Sequence, residues 1–189
     1  MHALGQVAHF TTQNQSIPPH KIAKAVNPLL PNDIKVLESS EVDKDFNACK
    51  SAKQKTYRYN FYVSDTEIPL KERYSVKIPQ IDFSSVQGGA KLFVGEHDFK
   101  NYCASGSSAK TTKRTIYEIS VEKSGSDYSL MVTGNGFLYN MVRIIAGTLI
   151  ELGQGKLTLQ EVKSSLSGQK AKKGKTLAPK GLTLIKVEY

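Results

Sequence analysis

Residues 137–152, FLYNMVRIIAGTLIEL, form the strongest helix signal in the chain. Their apolar side chains recur at the spacing of one helix face and make a wide stripe, which predicts an amphipathic helix. Gly153 follows the last of them and predicts the end of this helix. The apolar stripe consists of Leu138, Met141, Val142, Ile145, Leu149 and Leu152.

Strands are predicted on both sides of this helix. Residues 115–123 and 128–133 alternate apolar and polar side chains, and the Ser-Gly-Ser-Asp segment between them is typical of a β-hairpin with a longer loop. Residues 51–63 are rich in strong β-formers and predict a long strand. Three further strands are predicted at residues 6–10, 34–42 and 182–189.

Short helices and loops separate these strands. Apolar residues at helical spacing predict a helix between Ile22 and Leu30, and Asp82 is expected to cap another that ends near Gly95. Thr158 with Glu161 forms the sequence of a capping box, whereas residues 65–79 are expected to be loop. Helices and hairpins without a regular βαβ repeat indicate an α+β fold with a mainly antiparallel sheet.

The charge balance favours a polyanionic partner. The chain of 189 residues has 26 Lys and Arg against 17 Asp and Glu, a net charge of +9. Such a surface suits a nucleic acid, because each phosphate that it neutralises releases counterions. A basic protein without such a partner is the alternative that charge alone leaves open. The length suits one sizeable domain or two small lobes.

Cysteine and histidine spacing argues against disulfide and metal chemistry. Cys49 and Cys103 lie far apart and outside any Cys-x-x-Cys or Cys/His cluster, and the four histidines lack metal-ligand spacing. No signal peptide opens the sequence, and its apolar stretches are too short to span a bilayer. We therefore expect no metal, no membrane segment and a cytoplasmic location.

Arg143 is the most informative single residue. It is the one charged residue between Phe137 and Ile150, and its neighbours along the helix are apolar. A guanidinium among apolar side chains needs an acidic partner, which must come from elsewhere in the fold, from a substrate phosphate or from another part of the protein. Alternatively, its long side chain reaches solvent at the helix edge.

Two basic segments are candidates for contact with RNA. Residues 53–59, KQKTYRY, alternate cations and rings, which suits phosphates and splayed bases, although a strand with core tyrosines explains the pattern equally well. A Gly/Ser loop carries Lys110, Lys113 and Arg114 without the spacing of a P-loop, and an ordinary solvated loop is its alternative. These residues alone indicate a basic α+β domain with a capacity to bind RNA.

Six short motifs occur in order along nearly the whole chain. They are residues 2–10 (HALGQVAHF), 27–34 (NPLLPNDI), 46–59 (FNACKSAKQKTYRY), 95–99 (GEHDF), 137–143 (FLYNMVR) and 178–182 (APKGL). In sequence and in order they resemble the motifs of the tRNA pseudouridine synthase A (TruA) family. Six ordered motifs are too many for a chance agreement.

This resemblance implies an isomerase that converts uridine to pseudouridine in the anticodon stem-loop of tRNA, without a metal or an organic cofactor. In the family an aspartate attacks the target nucleotide, and the uracil is detached, rotated and rejoined through carbon. The base must leave the stack and enter a pocket. The resemblance also implies an antiparallel sheet with helices packed on one face, and a homodimer.

The resemblance assigns roles to particular residues. Tyr57 matches the pocket tyrosine that contacts the base and can move a proton, Arg143 matches the arginine that pairs with the aspartate, and Leu182 matches an apolar residue that lines the pocket. The catalytic candidates are thus Tyr57 and Arg143. The candidate substrate contacts are Tyr57, Arg58, Leu182, Lys110, Lys113 and Arg114.

One family motif is absent. The Gly-Arg-Thr-Asp segment lies a few positions before His-Ala in the family, and here Met1 directly precedes His2. We therefore expect an incomplete copy, from a misassigned start or a gene fragment, that is inactive alone. Residues 1–80 would be the remainder of an N-terminal lobe and residues 81–189 a C-terminal lobe. The alternatives are a non-catalytic RNA-binding module and a structural or dimerisation fragment.

Overall fold

The computed structural model describes residues 1–13 and 16–189. Strands and helices alternate irregularly along these residues, with short 3-10 turns between them. The strands are β1 (His2–Ala3), β2 (Gln54–Val63), β3 (Val76–Ile78), β4 (Gly95–Asp98), β5 (Lys113–Ser124), β6 (Asp127–Gly134) and β7 (Leu182–Glu188). The helices are α1 (Ile22–Val26), α2 (Phe83–Lys91), α3 (Met141–Gly153) and α4 (Leu159–Ser165).

The described strands form one sheet in the order β1-β7-β2-β6-β5-β4, and β3 pairs with the last part of β2. The long strands β2, β5, β6 and β7 are antiparallel to their long neighbours, whereas the short pairs β1–β7 and β2–β3 are parallel. The predicted α+β class with a mainly antiparallel sheet is confirmed.

Side chains alternate between a buried and a more polar face of this sheet. Tyr59 on β2 lies beside Leu130 on β6 and Leu182 on β7, and all three are buried in the cluster that also contains the apolar side chains of α2 and α3. We call this the inner face. Helices α2 and α3 pack on it because each buried side chain of this size gains about 1.5–3 kcal/mol.

The predicted helix at residues 137–152 is confirmed, with a later start. α3 begins at Met141 because Asn140 has φ 61° and ψ 9°, a left-handed conformation that a helix cannot include. The predicted caps are also confirmed. The Asp82 carboxylate accepts hydrogen bonds from the backbone N–H groups of Ser84 and Ser85, and Thr158 with Glu161 forms a complete capping box.

Two predicted strands are wrong. Residues 6–10 lie outside β1 and do not join the sheet. The His9 ring instead packs edge-on against the Phe46 ring, with 6.3 Å between the ring centroids. Residues 34–42 are also not a strand. The Asn27 side chain bonds both backbone groups of Val36, at 2.8 and 2.9 Å, and takes the place of a partner strand. Conversely, Val76–Ile78 forms β3 within the segment predicted as loop.

Contacts divide the described chain into two compact units. One unit contains Met1–Gln6 and Ala52–Tyr189, and the other contains Val7–Ser51. The lobe boundary expected between residues 80 and 81 stays a prediction. None of the helices in the described part of the chain is long and apolar enough to cross a membrane.

Residues 174–178 cross α3 at very short range, and we call them the strap. A Cβ atom on Gly147 would lie 1.9 Å from the Lys175 carbonyl oxygen, and one on Gly174 would lie 2.3 Å from the Thr148 nitrogen. The buried Thr148 hydroxyl donates to the Ile144 carbonyl oxygen and accepts from the Gly174 N–H, both at 2.9 Å. The strap therefore requires glycine on both sides of the crossing.

We expect Gly147→Ala to lower the free energy of unfolding by about 1–3 kcal/mol or more, because the new methyl group would push the strap off α3. Gly88→Ala is the matched control. A Cβ at Gly88 in α2 meets no atom within 4 Å, so this change should stabilise the helix by about 0.5–1 kcal/mol. Urea denaturation measures both variants, and equal midpoints for them would contradict the close crossing.

Candidate active site

The Arg143 side chain is half-buried in the first turn of α3 and binds neutral oxygen atoms. Its Nε donates to the Leu177 carbonyl oxygen of the strap, and its Nη1 donates to Asn140 Oδ1, both at 2.6 Å. No carboxylate within residues 1–13 and 16–189 forms an ion pair with it. The acidic partner expected for Arg143 is therefore not supplied by the described residues, and its charge stays uncompensated.

Tyr59 lies close to Arg143. Its hydroxyl group donates to the Ala178 carbonyl oxygen at 2.7 Å, and its ring has no exposed surface. Burial raises the pKa of Tyr59 far above its ordinary value of 10.0, and the positive charge of Arg143 lowers this pKa in part. A Cβ on Gly181 would lie 2.8 Å from Tyr59 Cζ, so the turn before β7 closes over the ring only with glycine.

Tyr57 and Leu182 lie on the same inner face of the sheet. The Tyr57 ring packs edge-on against the Phe137 ring, with 5.1 Å between the ring centroids. Partial burial raises the pKa of the Tyr57 hydroxyl above its ordinary value of 10.0. Leu182 begins β7 directly opposite Tyr59, and Leu184 lies opposite Tyr57. The structure thus places the two candidate pocket residues on the side of the sheet that α3 and Arg143 cover.

Arg58 lies on the opposite, outer face, between Thr183 of β7 and Met131 of β6. Its Nε is buried and has no hydrogen-bond partner among the residues that the structure describes. An unsatisfied buried donor costs about 1–3 kcal/mol. Because Arg58 and Tyr57 are adjacent on β2, their side chains lie on opposite faces, and the sheet separates Arg58 from Tyr57 and Arg143.

The sequence placed three basic residues in the Gly/Ser loop, but Lys113 and Arg114 begin β5 and pair with β4, and Lys110 precedes the strand. Lys110 and Lys113 are exposed, whereas Arg114 is half-buried and donates from Nη1 to the carbonyl oxygens of Thr111 and Lys113. The Arg114 side chain passes Gly136, with Nε 3.6 Å from the position of a Cβ there. Arg114 is thus next to the turn that carries Phe137, the ring in contact with Tyr57.

The direction of β1 defines where a preceding segment would enter. β1 runs parallel to β7, with His2 beside Thr183, and the Leu4 N–H donates to the Leu184 carbonyl oxygen at 2.8 Å. The start of β1 therefore lies beside the start of β7, at Leu182. Residues a few positions before His2 would emerge at this end of the sheet.

Two neighbours of Arg143 were not singled out from the sequence. Asn140 precedes Arg143 by three residues, a spacing at which side chains on a helix can meet, so its contact with Arg143 could have been predicted from the sequence. The place of Tyr59 in the site could not be predicted in this way, because its contact with Ala178 joins residues 119 positions apart. Groups of three His, Cys, Asp or Glu residues suited to a metal ion do not occur in the part of the chain that is described.

We expect Tyr59→Phe to cost about 1 kcal/mol of stability at pH 8, through removal of the hydrogen bond to Ala178. The folded pKa of Tyr59 lies above its unfolded value, so the stability that its proton contributes is complete below pH 10 and decreases as the pH rises. The difference between the two proteins should therefore shrink above pH 10. Urea denaturation from pH 8 to pH 11 measures it, and a constant difference would contradict the raised pKa.

Comparison with known proteins gives a consistent result. Residues 90–189 match the family described as tRNA pseudouridine synthase. The chain is 44% identical over 191 residues to tRNA pseudouridine synthase A of Acetivibrio thermocellus and 41% identical over 191 residues to that of Caldicellulosiruptor bescii. Each alignment covers all of this chain and 78% of the relative. The chain therefore belongs to the tRNA pseudouridine synthase A family, a family of isomerases that modify tRNA.

Proposed function

We propose that this chain carries most of a uridine-isomerising site, in which Arg143 binds the carboxylate of an aspartate in a Gly-Arg-Thr-Asp segment placed before His2. The observation that supports this most strongly is the Arg143 guanidinium, which is held by two neutral oxygen atoms and has no carboxylate partner among the described residues. The parallel pairing of β1 with β7 would lead such a segment to the end of the sheet where Leu182 lies.

In this proposal the guanidinium keeps the nucleophile ionised. Partial burial alone would raise the pKa of a carboxyl group, whereas a cation within hydrogen-bonding distance lowers it. A charge-assisted hydrogen bond would also fix the direction in which the carboxylate attacks the nucleotide. Tyr57 would contact the flipped base and move a proton, and Leu182 would line the pocket.

RNA contacts are proposed for Arg58, Lys110, Lys113 and Arg114. The chain has a net charge of +9, and Lys110 and Lys113 are exposed, so both can reach phosphates. Arg58 is half-buried on the outer face of the sheet, and the family resemblance supports its contact with RNA. The membership of a tRNA-modifying family favours a tRNA substrate over an RNA-binding module without catalysis.

The finer details of the substrate and assembly come from the family resemblance. We propose that the modified uridines lie in the anticodon stem-loop, where a base can leave the stack at a lower cost than in a continuous duplex. We also propose that the working protein is a homodimer in the cytoplasm, where mature tRNA is used. This part of the proposal is supported by the motifs at residues 2–10 and 137–143, which resemble those of the family.

We expect Arg143→Ala, in a protein whose Gly-Arg-Thr-Asp segment precedes His2, to lower kcat by about 100-fold or more. The affinity for tRNA should change little, because the guanidinium would bind the aspartate and not the RNA. Single-turnover assays of pseudouridine formation and filter binding measure these two quantities. Arg73→Ala, which removes an exposed arginine, is the matched control. Unchanged turnover in Arg143→Ala would exclude this residue from the site.

We expect the chain to bind tRNA with an affinity that falls as salt increases. Replacing Lys110, Lys113 and Arg114 together by Ala should reduce the slope of log K against log salt by about 1 for each phosphate that the variant no longer neutralises. The control replaces the three exposed lysines Lys24, Lys35 and Lys44 by Ala, which removes the same charge elsewhere. Equal slopes for both triple variants would contradict the proposed contacts.

A further inference from the structure

Asn140 has an unusual backbone conformation just before α3. With φ 61° and ψ 9°, it is the one residue other than glycine with a positive φ among those described. Asn tolerates this conformation better than most residues, but a helix N-cap normally has an extended backbone. In keeping with this, the Asn140 side chain makes no capping hydrogen bond to the helix, whereas Asp82 and Thr158 cap theirs.

The Asn140 side chain contacts Arg143 instead. Its Oδ1 accepts a hydrogen bond from Arg143 Nη1 at 2.6 Å, while the Leu177 carbonyl oxygen accepts one from Arg143 Nε, also at 2.6 Å. Two acceptors on two different nitrogen atoms fix the plane of the guanidinium. No residue within the described ranges accepts a hydrogen bond from Nη2.

We propose that Asn140 is a positioning residue, which orients the Arg143 guanidinium so that Nη2 faces the incoming carboxylate. This inference rests on the proposed function of Arg143. A neutral amide suits the task because its oxygen accepts a hydrogen bond without cancelling the positive charge, which remains available for the nucleophile. The left-handed backbone turns the side chain away from the helix N–H groups and towards Arg143.

The first test measures the order of the Arg143 side chain in the 189-residue chain itself. Nitrogen-15 NMR of the guanidinium reports rotation about the Cζ–Nη bonds, which should be slow while Nη1 is bound. Asn140→Gly removes Oδ1 and keeps a backbone that accepts φ 61° freely, so the fold should persist and the rotation should become fast. Asn47→Gly is the control, because it removes an Asn whose side chain, among the described residues, bonds the nearby backbone N–H groups of Cys49 and Lys50.

The second test measures turnover in a protein whose Gly-Arg-Thr-Asp segment precedes His2. We expect Asn140→Gly to lower kcat on the order of 10- to 100-fold, because a misdirected guanidinium misplaces the nucleophile. Asn140 binds Arg143. In this proposal it acts on the nucleophile and not on the RNA, so KM for tRNA should stay within about twofold. Asn47→Gly should change neither constant.

The outcomes separate the two proposals. Unchanged kcat in Asn140→Gly, beside an active unsubstituted protein, overturns the positioning role whatever the spectra show. Unchanged guanidinium rotation in Asn140→Gly also overturns it. If the unsubstituted protein forms no pseudouridine, the proposed function fails, and the NMR comparison still decides whether Asn140 orders Arg143.

Discussion

The crossing of α3 by the strap is the constraint on which the candidate site depends. Gly147 and Gly174 leave no space for a Cβ atom, so the strap lies directly on the helix backbone. This contact brings the Leu177 and Ala178 carbonyl oxygens to the start of α3, where they bind Arg143 and Tyr59. A wider crossing would leave the guanidinium without its backbone acceptor, and a hydrogen bond to a charged group contributes about 1.5–3 kcal/mol.

The sheet separates two chemical environments. Its inner face packs against the hydrophobic core. Tyr59 is buried and Tyr57 half-buried there, which raises the pKa of both hydroxyl groups. A tyrosine with a raised pKa keeps its proton and can donate a hydrogen bond. The outer face carries the polar residues of the same strands, among them Arg58. Strand β2 thus contributes the Tyr57 and Tyr59 phenols to the inner face and the Arg58 cation to the outer face.

Elements with strong local patterns could be predicted from the sequence. The apolar stripe of α3, the alternation in β5 and β6, and the caps at Asp82 and Thr158 each depend on residues a few positions apart. The strand expected at residues 34–42 shows the limit of this approach. Its apolar residues fit a strand, but a strand needs a partner, and the Asn27 side chain occupies the backbone groups of Val36.

The candidate site shows the same limit. Arg143 could be recognised because it is a single cation on an apolar helix, whereas Tyr59 and the strap come close to Arg143 only in the folded chain.

The sequence by itself determined the helices, the long strands, the basic charge and the family, because each of these depends on composition, on neighbouring residues or on short motifs. The tertiary structure alone decided which oxygen atoms bind the guanidinium, which face of the sheet each tyrosine occupies, and that Arg58 has a buried nitrogen without a partner among the described residues. These properties depend on contacts between distant segments, and local periodicity carries no information about such contacts.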